Sequence, residues 1–157
     1  MPIRPFVASD REPLRAILQA TGVFRKEEVE IAVELMDLAS EEPTQTDYVL
    51  NSYADDDGTV RGYYCIGPTP GTASTYDLYW IAVDPGVQKS GIGTLLMKHC
   101  EELISSKGGK LIIVETSSLP QYTPTHRFYR RHKYESASRI RDYYGPGDDL
   151  MVFTKHL

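Results

Sequence analysis

The chain has 157 residues and a formal net charge of −5. That length suits one compact domain over residues 1–157, and no apolar run approaches the ~20 residues that a membrane-spanning helix needs. The acidic balance argues against a broad nucleic-acid-binding surface, because duplex binding depends on neutralising phosphates. Neither a membrane nor a nucleic acid is therefore expected as a partner.

Hydrophobic periodicity and turn residues divide the chain into seven strands and four helices. In chain order, the expected elements are a strand over 2–7, a helix that follows Ser9, a helix over 25–41, strands over 47–54, 60–67 and 75–84, a helix from Gly91 to Ser106, a strand over 111–114, a short helix from Thr123 to His132, and strands over 136–143 and 149–156. The order β-α-α-β-β-β-α-β-α-β-β predicts an α/β layered domain.

Local signals mark several of these boundaries. Ser9 and Glu12 have the spacing of a capping box, which predicts the start of the first helix. Thr123 is predicted to cap the last helix, with Pro124 in its first position. The run from Asp55 to Gly58 is typical of a turn between two strands rather than of a cation site.

Cys65 and Cys100 lack the spacing of a metal or redox motif. Cys65 lies in a strand-like run and Cys100 on the apolar side of a helical pattern, so both are predicted to be buried, reduced thiols. Reduced thiols favour a cytoplasmic setting. The four histidines share no ligand spacing, and no metal is expected.

The segment that carries chemistry lies between the strand over 75–84 and the long helix that follows it. Its residues are Gln88, Lys89, Ser90, Gly91, Ile92, Gly93 and Thr94. Glycines let a ligand approach the backbone closely, and the first N–H groups of a helix have no partner within the helix. Such a strand–loop–helix is a site for anions, most often phosphates.

Two common phosphate motifs do not fit this loop. A Walker A loop needs Lys and Ser or Thr after its second glycine, but Ile92 and Gly93 follow Gly91. A dinucleotide fingerprint needs a third glycine where this chain has Leu96. Nucleotide hydrolysis and dinucleotide binding are therefore not expected.

The pattern Gln88-x-x-Gly91-x-Gly93, with Asp84-Pro85 before it, resembles the pyrophosphate loop of the GCN5-related N-acetyltransferases, the GNAT superfamily. Phe128-Tyr129 is similar to the Phe-Tyr of a later helix in that family, and the order of elements agrees over nearly the whole chain. Where the family usually has Gly-Phe after this helix, the chain has Lys133-Tyr134. The resemblance implies a single-domain fold with a mixed central sheet of six to seven strands and about four helices on both faces.

The resemblance also implies where acetyl-CoA binds as a co-substrate. The backbone of Ile81, Ala82 and Val83 is expected to lie along the pantetheine arm, where this strand separates from the strand over 111–114, and the loop amides up to Thr94 are expected to hold the pyrophosphate. Strand-like backbone pairing of a ligand resembles the addition of a peptide to an open sheet edge.

Tyr129 matches the family's general acid, placed to protonate the leaving thiolate; the alternative is a tyrosine with only a packing role. Phe128 is expected to point to the core and Tyr129 toward the cleft. Glu115 matches the usual position of a base, whose pKa burial would raise; the alternative is a glutamate in a salt bridge. Asp77 is the second candidate for the base.

The implied reaction is direct transfer of an acetyl group from acetyl-CoA to a primary amine in a ternary complex. The acceptor is either a small molecule, such as an amino acid, or a protein N-terminus. The segment 141–149 resembles the closing loop of family members that acetylate N-termini of ribosomal proteins. A non-catalytic acyl-CoA sensor or regulatory module is the alternative, and a homodimer is the commonest assembly for such a chain.

Overall fold

The computed structural model of the protein describes residues 2–157. Its strands and helices, in chain order, are β1 (Ile3–Pro5), α1 (Arg11–Ala20), α2 (Lys26–Glu41), β2 (Val49–Ala54), β3 (Val60–Pro68), β4 (Thr75–Val83), α3 (Ile92–Ser106), β5 (Leu111–Ser117), α4 (Thr123–Arg131), β6 (Glu135–Gly145) and β7 (Asp148–His156). Within this part of the chain, no helix combines the length and apolar character needed to cross a bilayer.

The strands form one sheet in the order β1-β2-β3-β4-β5-β7-β6. Every neighbouring pair is antiparallel except β4 and β5, which are parallel. Parallel neighbours need a crossover, and α3 supplies it. The mixed seven-stranded sheet with four helices confirms the predicted fold class.

Helices cover both faces of this sheet and create two cores. The first core lies under α1 and α2 and includes Leu14, Met36 and Tyr63, all essentially inaccessible to solvent. The second lies under α3 and α4 and includes Leu96, Ile112 and Phe153. Both cysteines are free and buried, Cys65 in the first core and Cys100 in the second, as predicted.

The predicted helix caps were wrong at two places. At the start of the first helix Asp10, not Ser9, carries the interactions: its carboxylate accepts hydrogen bonds from Val7 N–H at 3.1 Å, Arg4 at 2.7 Å and Ser52 at 2.8 Å. A buried carboxylate needs such partners, and a sequence pattern does not show which neighbour supplies them. In α4, Thr123 is the first helical residue and its side chain caps nothing.

The parallel strands β4 and β5 pair over only three residues each. Their register runs from Thr75 opposite Leu111 to Asp77 opposite Ile113 and ends there. Just beyond, β4 has a bulge: Leu78 pairs with Ile66 and Trp80 with Cys65, so Tyr79 has no partner of its own on β3. A bulge bends a strand and increases its twist. The bend opens a gap between β4 and β5, which we call the strand gap.

Candidate functional site

The two walls of the strand gap are backbone edges without a strand partner. Asp84 N–H donates to Arg61 C=O on β3 at 2.7 Å. Because hydrogen bonding alternates along an antiparallel strand, Ala82 also points its backbone groups to β3, and Ile81 and Val83 point theirs into the gap. In the predicted coenzyme-binding strand, the free backbone N–H and C=O groups are therefore those of Ile81 and Val83. The backbone of Ala82 bonds to β3, and its side chain is buried in the first core.

The opposite wall follows from the same alternation in β5. Ser118 N–H, just after β5, donates to Asp149 C=O on β7 at 2.9 Å. Thr116, two residues earlier, therefore bonds to β7 through its backbone, and Glu115 and Ser117 point their backbone groups away from β7. The Ser117 carbonyl is already occupied, because it accepts a hydrogen bond from His126 Nε2–H at 2.9 Å, so the free groups of this wall are those of Glu115 and the Ser117 N–H. An extended ligand with amide groups would satisfy both walls, which is the geometry of strand addition.

The glycine loop lies at the end of β4 and leads into α3. Gly91 caps the helix with φ of +87°, a left-handed conformation that favours glycine. The first bond inside the helix runs from Leu95 N–H to Gly91 C=O at 3.0 Å. The N–H groups of Ile92, Gly93 and Thr94 have no backbone acceptor among the described residues, and with the helix dipole they form an anion site.

The side chains at the start of this loop contribute less than its backbone. Gln88, Lys89 and Ser90 are exposed. The Ser90 hydroxyl donates to the carbonyl of Val87 within the loop, and Lys89 adopts a left-handed φ of 69°.

Helix α4 packs directly on the first turn of α3. A Cβ on Gly93 would lie 3.1 Å from Cε1 of Phe128, so only glycine fits there without displacing the ring. Phe128 also stacks with His132 at 4.5 Å between ring centroids. Phe128 is half-buried and Tyr129 is 5% exposed. Phe128 packs against the second core, as predicted, whereas Tyr129 is itself buried in that core rather than directed into a cleft.

Tyr129 lies in the second core, between Phe128, Tyr134 and Phe153. Burial raises the pKa of the Tyr129 phenol well above its ordinary value. The hydroxyl consequently stays protonated at every pH at which the protein works, so it is available as a donor and not as a base.

Glu115 is exposed, so it lacks the burial that the sequence-based expectation assumed. Alternation along β5 places it on the face of α1 and α2, opposite Thr116. Burial, followed by the nearby Glu115 carboxylate, raises the pKa of Tyr144 to about 12. Asp77 accepts hydrogen bonds from Thr69 at 2.7 Å and Tyr79 at 3.4 Å, and both partners stabilise the turn beside it. Of the two candidate bases, Glu115 is the one whose backbone borders the gap.

A cluster of side chains lies near Glu115 at the edge of the gap, and the sequence did not predict its contacts. The guanidinium of Arg25 lies 5.3 Å from the centre of the Tyr144 ring. Arg25 also donates to Glu28 at 3.1 Å, and the hydroxyl of Tyr122 donates to the same carboxylate at 2.8 Å. These contacts join the start of α2 to the β6–β7 hairpin. No spacing in the sequence indicates them, because the three segments are far apart in the chain.

Other candidate sites lack an equivalent set of free groups. A cavity of about 480 Å³ lies between α1 and α2, and half of its six charged lining residues are in ion pairs, as in the contact of Arg11 with Asp37 at 2.6 Å. The described residues contain no group of three or more side chains able to hold a metal ion. The strand gap, by contrast, combines unpaired backbone with the anion site at the start of α3.

Comparison with known proteins identifies the family. Residues 49–136, more than half of the chain, match the sequence profile of the acetyltransferase (GNAT) domain. A GNAT-family structure from Desulfovibrio desulfuricans is 36% identical with a TM-score of 0.89, over 98% of this chain and 97% of that one. The chain belongs to the GNAT acetyltransferase family. It is accordingly an acetyl-CoA-dependent acetyltransferase.

More distant GNAT structures share the fold. An aminoglycoside 6'-N-acetyltransferase in complex with coenzyme A is 19% identical, with a TM-score of 0.77 over 99% of this chain and 97% of that one. The ribosomal-protein-S18-alanine N-acetyltransferase from Escherichia coli is 17% identical, with a TM-score of 0.76 over 98% and 92%. No curated protein sequence matches the chain. These two acceptors are chemically different, so the fold alone does not select one.

Proposed function

We propose that this GNAT enzyme acetylates a primary amine by direct attack while the amine and acetyl-CoA are bound together. The observation that carries the proposal is the strand gap, whose unpaired backbone walls lead to the free N–H groups at the start of α3. The residues fit the coenzyme: Ile81, Val83 and Glu115 offer backbone groups for the arm, and Gly91 to Thr94 offer amides for the pyrophosphate. Acetyl-CoA supplies an activated acyl group.

The reaction requires two proton transfers, one to the leaving thiolate and one from the attacking amine. The phenol of Tyr129 holds the proton that the leaving thiolate needs, since its burial keeps it protonated. Glu115, exposed at the edge of the gap, takes the proton of the amine, directly or through water. At this end of the gap the two carboxylates of Glu28 and Glu115 outnumber the positive charge of Arg25. The resulting negative charge supports an acceptor that binds as a cation.

Two observations support direct attack over a covalent acyl-enzyme. Burial raises the pKa of the Cys65 thiol to about 12 and raises that of Cys100 as well. A nucleophilic cysteine needs a lowered pKa and access to solvent, and both thiols lack these properties. The same buried thiols fit the cytoplasmic setting that we propose.

The acceptor class is tested by a thiol-release screen with acetyl-CoA and a panel of amines. The panel contains aminoglycosides, polyamines, free amino acids and peptides with different N-terminal residues. We expect release well above slow hydrolysis with one class, and intersecting initial-rate patterns. Hydrolysis alone with every class would favour the sensor alternative, and parallel patterns with acetylated Cys65 or Cys100 would contradict direct attack.

A further inference from the structure

One buried polar group next to the strand gap has no role in the fold. Thr116 is 6% exposed, and its hydroxyl has no hydrogen-bond partner among the described residues. Leaving a buried hydroxyl unpaired destabilises a protein, so this fold gains nothing from threonine here. Valine would fill the same volume without the cost. An unpaired group of this kind requires a separate explanation.

The position of Thr116 suggests what would pair with the hydroxyl. β5 pairs with β7 without a register shift from Leu111 to Ser117, so the side chain of Thr116 lies on the same face as Ile112 and Val114. That face carries the second core, with α3 and Tyr129. On its other side β5 has no strand partner beyond Ile113. The hydroxyl therefore lies beside the gap and on the side of the anion site.

The other unpaired buried hydroxyl differs in its surroundings. Tyr63 also has no hydrogen-bond partner, but it lies in the first core between Leu14, Leu18 and Met36, and β3 is paired on both sides at this position. No ligand can reach it. Thr116 alone of the two borders open backbone, where a bound ligand can reach its hydroxyl.

We propose that the Thr116 hydroxyl hydrogen-bonds a polar group of the acyl-pantetheine arm, an amide or the thioester carbonyl, and thereby positions the acyl group. The inference rests on the proposed function, because it presumes that acetyl-CoA occupies the strand gap. Thr116 is a binding and positioning residue, and the fold tolerates its unpaired hydroxyl because the ligand pairs it. The same unpaired hydroxyl thus lowers the stability of the free protein and strengthens the binding of acetyl-CoA.

The test uses Thr116→Val, Thr116→Ser and the matched control Thr154→Val, which makes the same change at a half-buried strand position outside the gap. Binding is measured by calorimetry with acetyl-CoA and with adenosine 3',5'-bisphosphate, which lacks the pantetheine arm. Thr116→Val should weaken acetyl-CoA about tenfold, as the loss of one hydrogen bond implies, and leave the bisphosphate unchanged. Thr116→Ser should behave as wild type in both titrations.

Thermal unfolding of the free proteins gives a second readout that does not depend on turnover. Removing an unpaired hydroxyl should raise the Tm of Thr116→Val by about 2–6 °C, and Thr154→Val should change neither Tm nor affinity appreciably. A destabilised or unfolded Thr116→Val protein would contradict the proposal, because the hydroxyl would then be needed by the fold. Unchanged acetyl-CoA affinity in Thr116→Val would contradict only the role of Thr116. A wild-type protein that fails to bind acetyl-CoA would contradict the proposed function as well.

Discussion

At the scale of single residues, a substitution of Tyr129 tests whether the enzyme uses this phenol as a general acid. Tyr129→Phe keeps the ring that packs against Tyr134 and Phe153 and deletes only the hydroxyl. General acid catalysis contributes about 10²–10⁴-fold, so kcat should fall within that range. Acetyl-CoA affinity and Tm should stay near wild type.

Single-turnover rates are the better measure of this loss, because slow product release would hide it in the steady state. A parallel fall in kcat and kcat/KM would mark an interaction made mainly in the transition state. Tyr134→Phe is a useful companion variant, since the Tyr134 hydroxyl donates to Glu101 at 2.9 Å on the far side of the same core. Wild-type single-turnover rates in Tyr129→Phe would show that the thiolate leaves without help from this residue.

Residues also show the limit of sequence reasoning. Lys89, Gly91 and Gly93 could be proposed from the sequence because glycine-rich loops before helices have a local signature. The hydrogen bonds to the Asp10 carboxylate were missed, because its partners Arg4 and Ser52 lie near it only once β1 and β2 have paired. The burial of Tyr129 and the exposure of Glu115 depend on how α4 and the end of β5 pack, which no spacing encodes.

At the scale of elements, His126 anchors α4 to the end of β5. Its Nε2–H donates to the carbonyl of Ser117 at 2.9 Å, and its ring lies 5.6 Å from that of Phe153. Burial lowers the pKa of His126 below the ordinary 6.5, despite the opposing hydrogen bond. The unfolded chain therefore takes up a proton at a pH where the folded chain does not.

The sign of the pH dependence follows from that difference. Stability is fully present above pH 6.5 and declines as the pH falls toward the folded pKa; His132, whose pKa burial also lowers, adds to the decline. Urea unfolding at pH 7.5 and 5.5 should show a smaller loss in His126→Gln than in wild type. The variant should also be less stable at pH 7.5 by about 1 kcal/mol.

The exposed residue His156 gives a control at the end of β7. His156→Gln should reproduce the wild-type loss between the two pH values. If His126→Gln lost as much stability as wild type on acidification, another group would have to explain the pH dependence. That result would contradict the role of neutral His126 in joining α4 to β5.

Elements were easier to predict than their ends and irregularities. The seven strands and four helices follow from periodicity, because each has to bury one face. The bulge at Tyr79 was not predictable: the segment 75–84 reads as one uninterrupted strand, and only its pairing with β3 shows the extra residue. Yet that bulge bends β4 where its pairing with β5 ends, and so positions the site.

At the scale of the whole molecule, the site is a property of topology. A parallel pair inside an otherwise antiparallel sheet requires a crossover, and the crossover brings the start of α3 to the end of β4. The same pair then separates after three residues and leaves two open edges. The side of the gap that we propose for the acceptor lies near α2, the segment before α4 and the β6–β7 hairpin. These parts are distant in sequence, which is why the sequence predicted residues for the coenzyme but indicated only the segment 141–149 on the other side.

The central claim is that acetyl-CoA binds with its pyrophosphate at the loop before α3, and calorimetry on Gly91 variants tests it most directly. A Cβ at Gly91 would meet no heavy atom within 4 Å, although its φ of +87° disfavours other residues. Asn and Asp tolerate this conformation best and have nearly the same shape, so they share the strain and differ in charge. Gly91→Asn should bind acetyl-CoA within a few-fold of wild type, and Gly91→Asp about 10²-fold more weakly, because its carboxylate faces the diphosphate. Equal affinities for two folded variants would contradict the placement of the pyrophosphate at this loop.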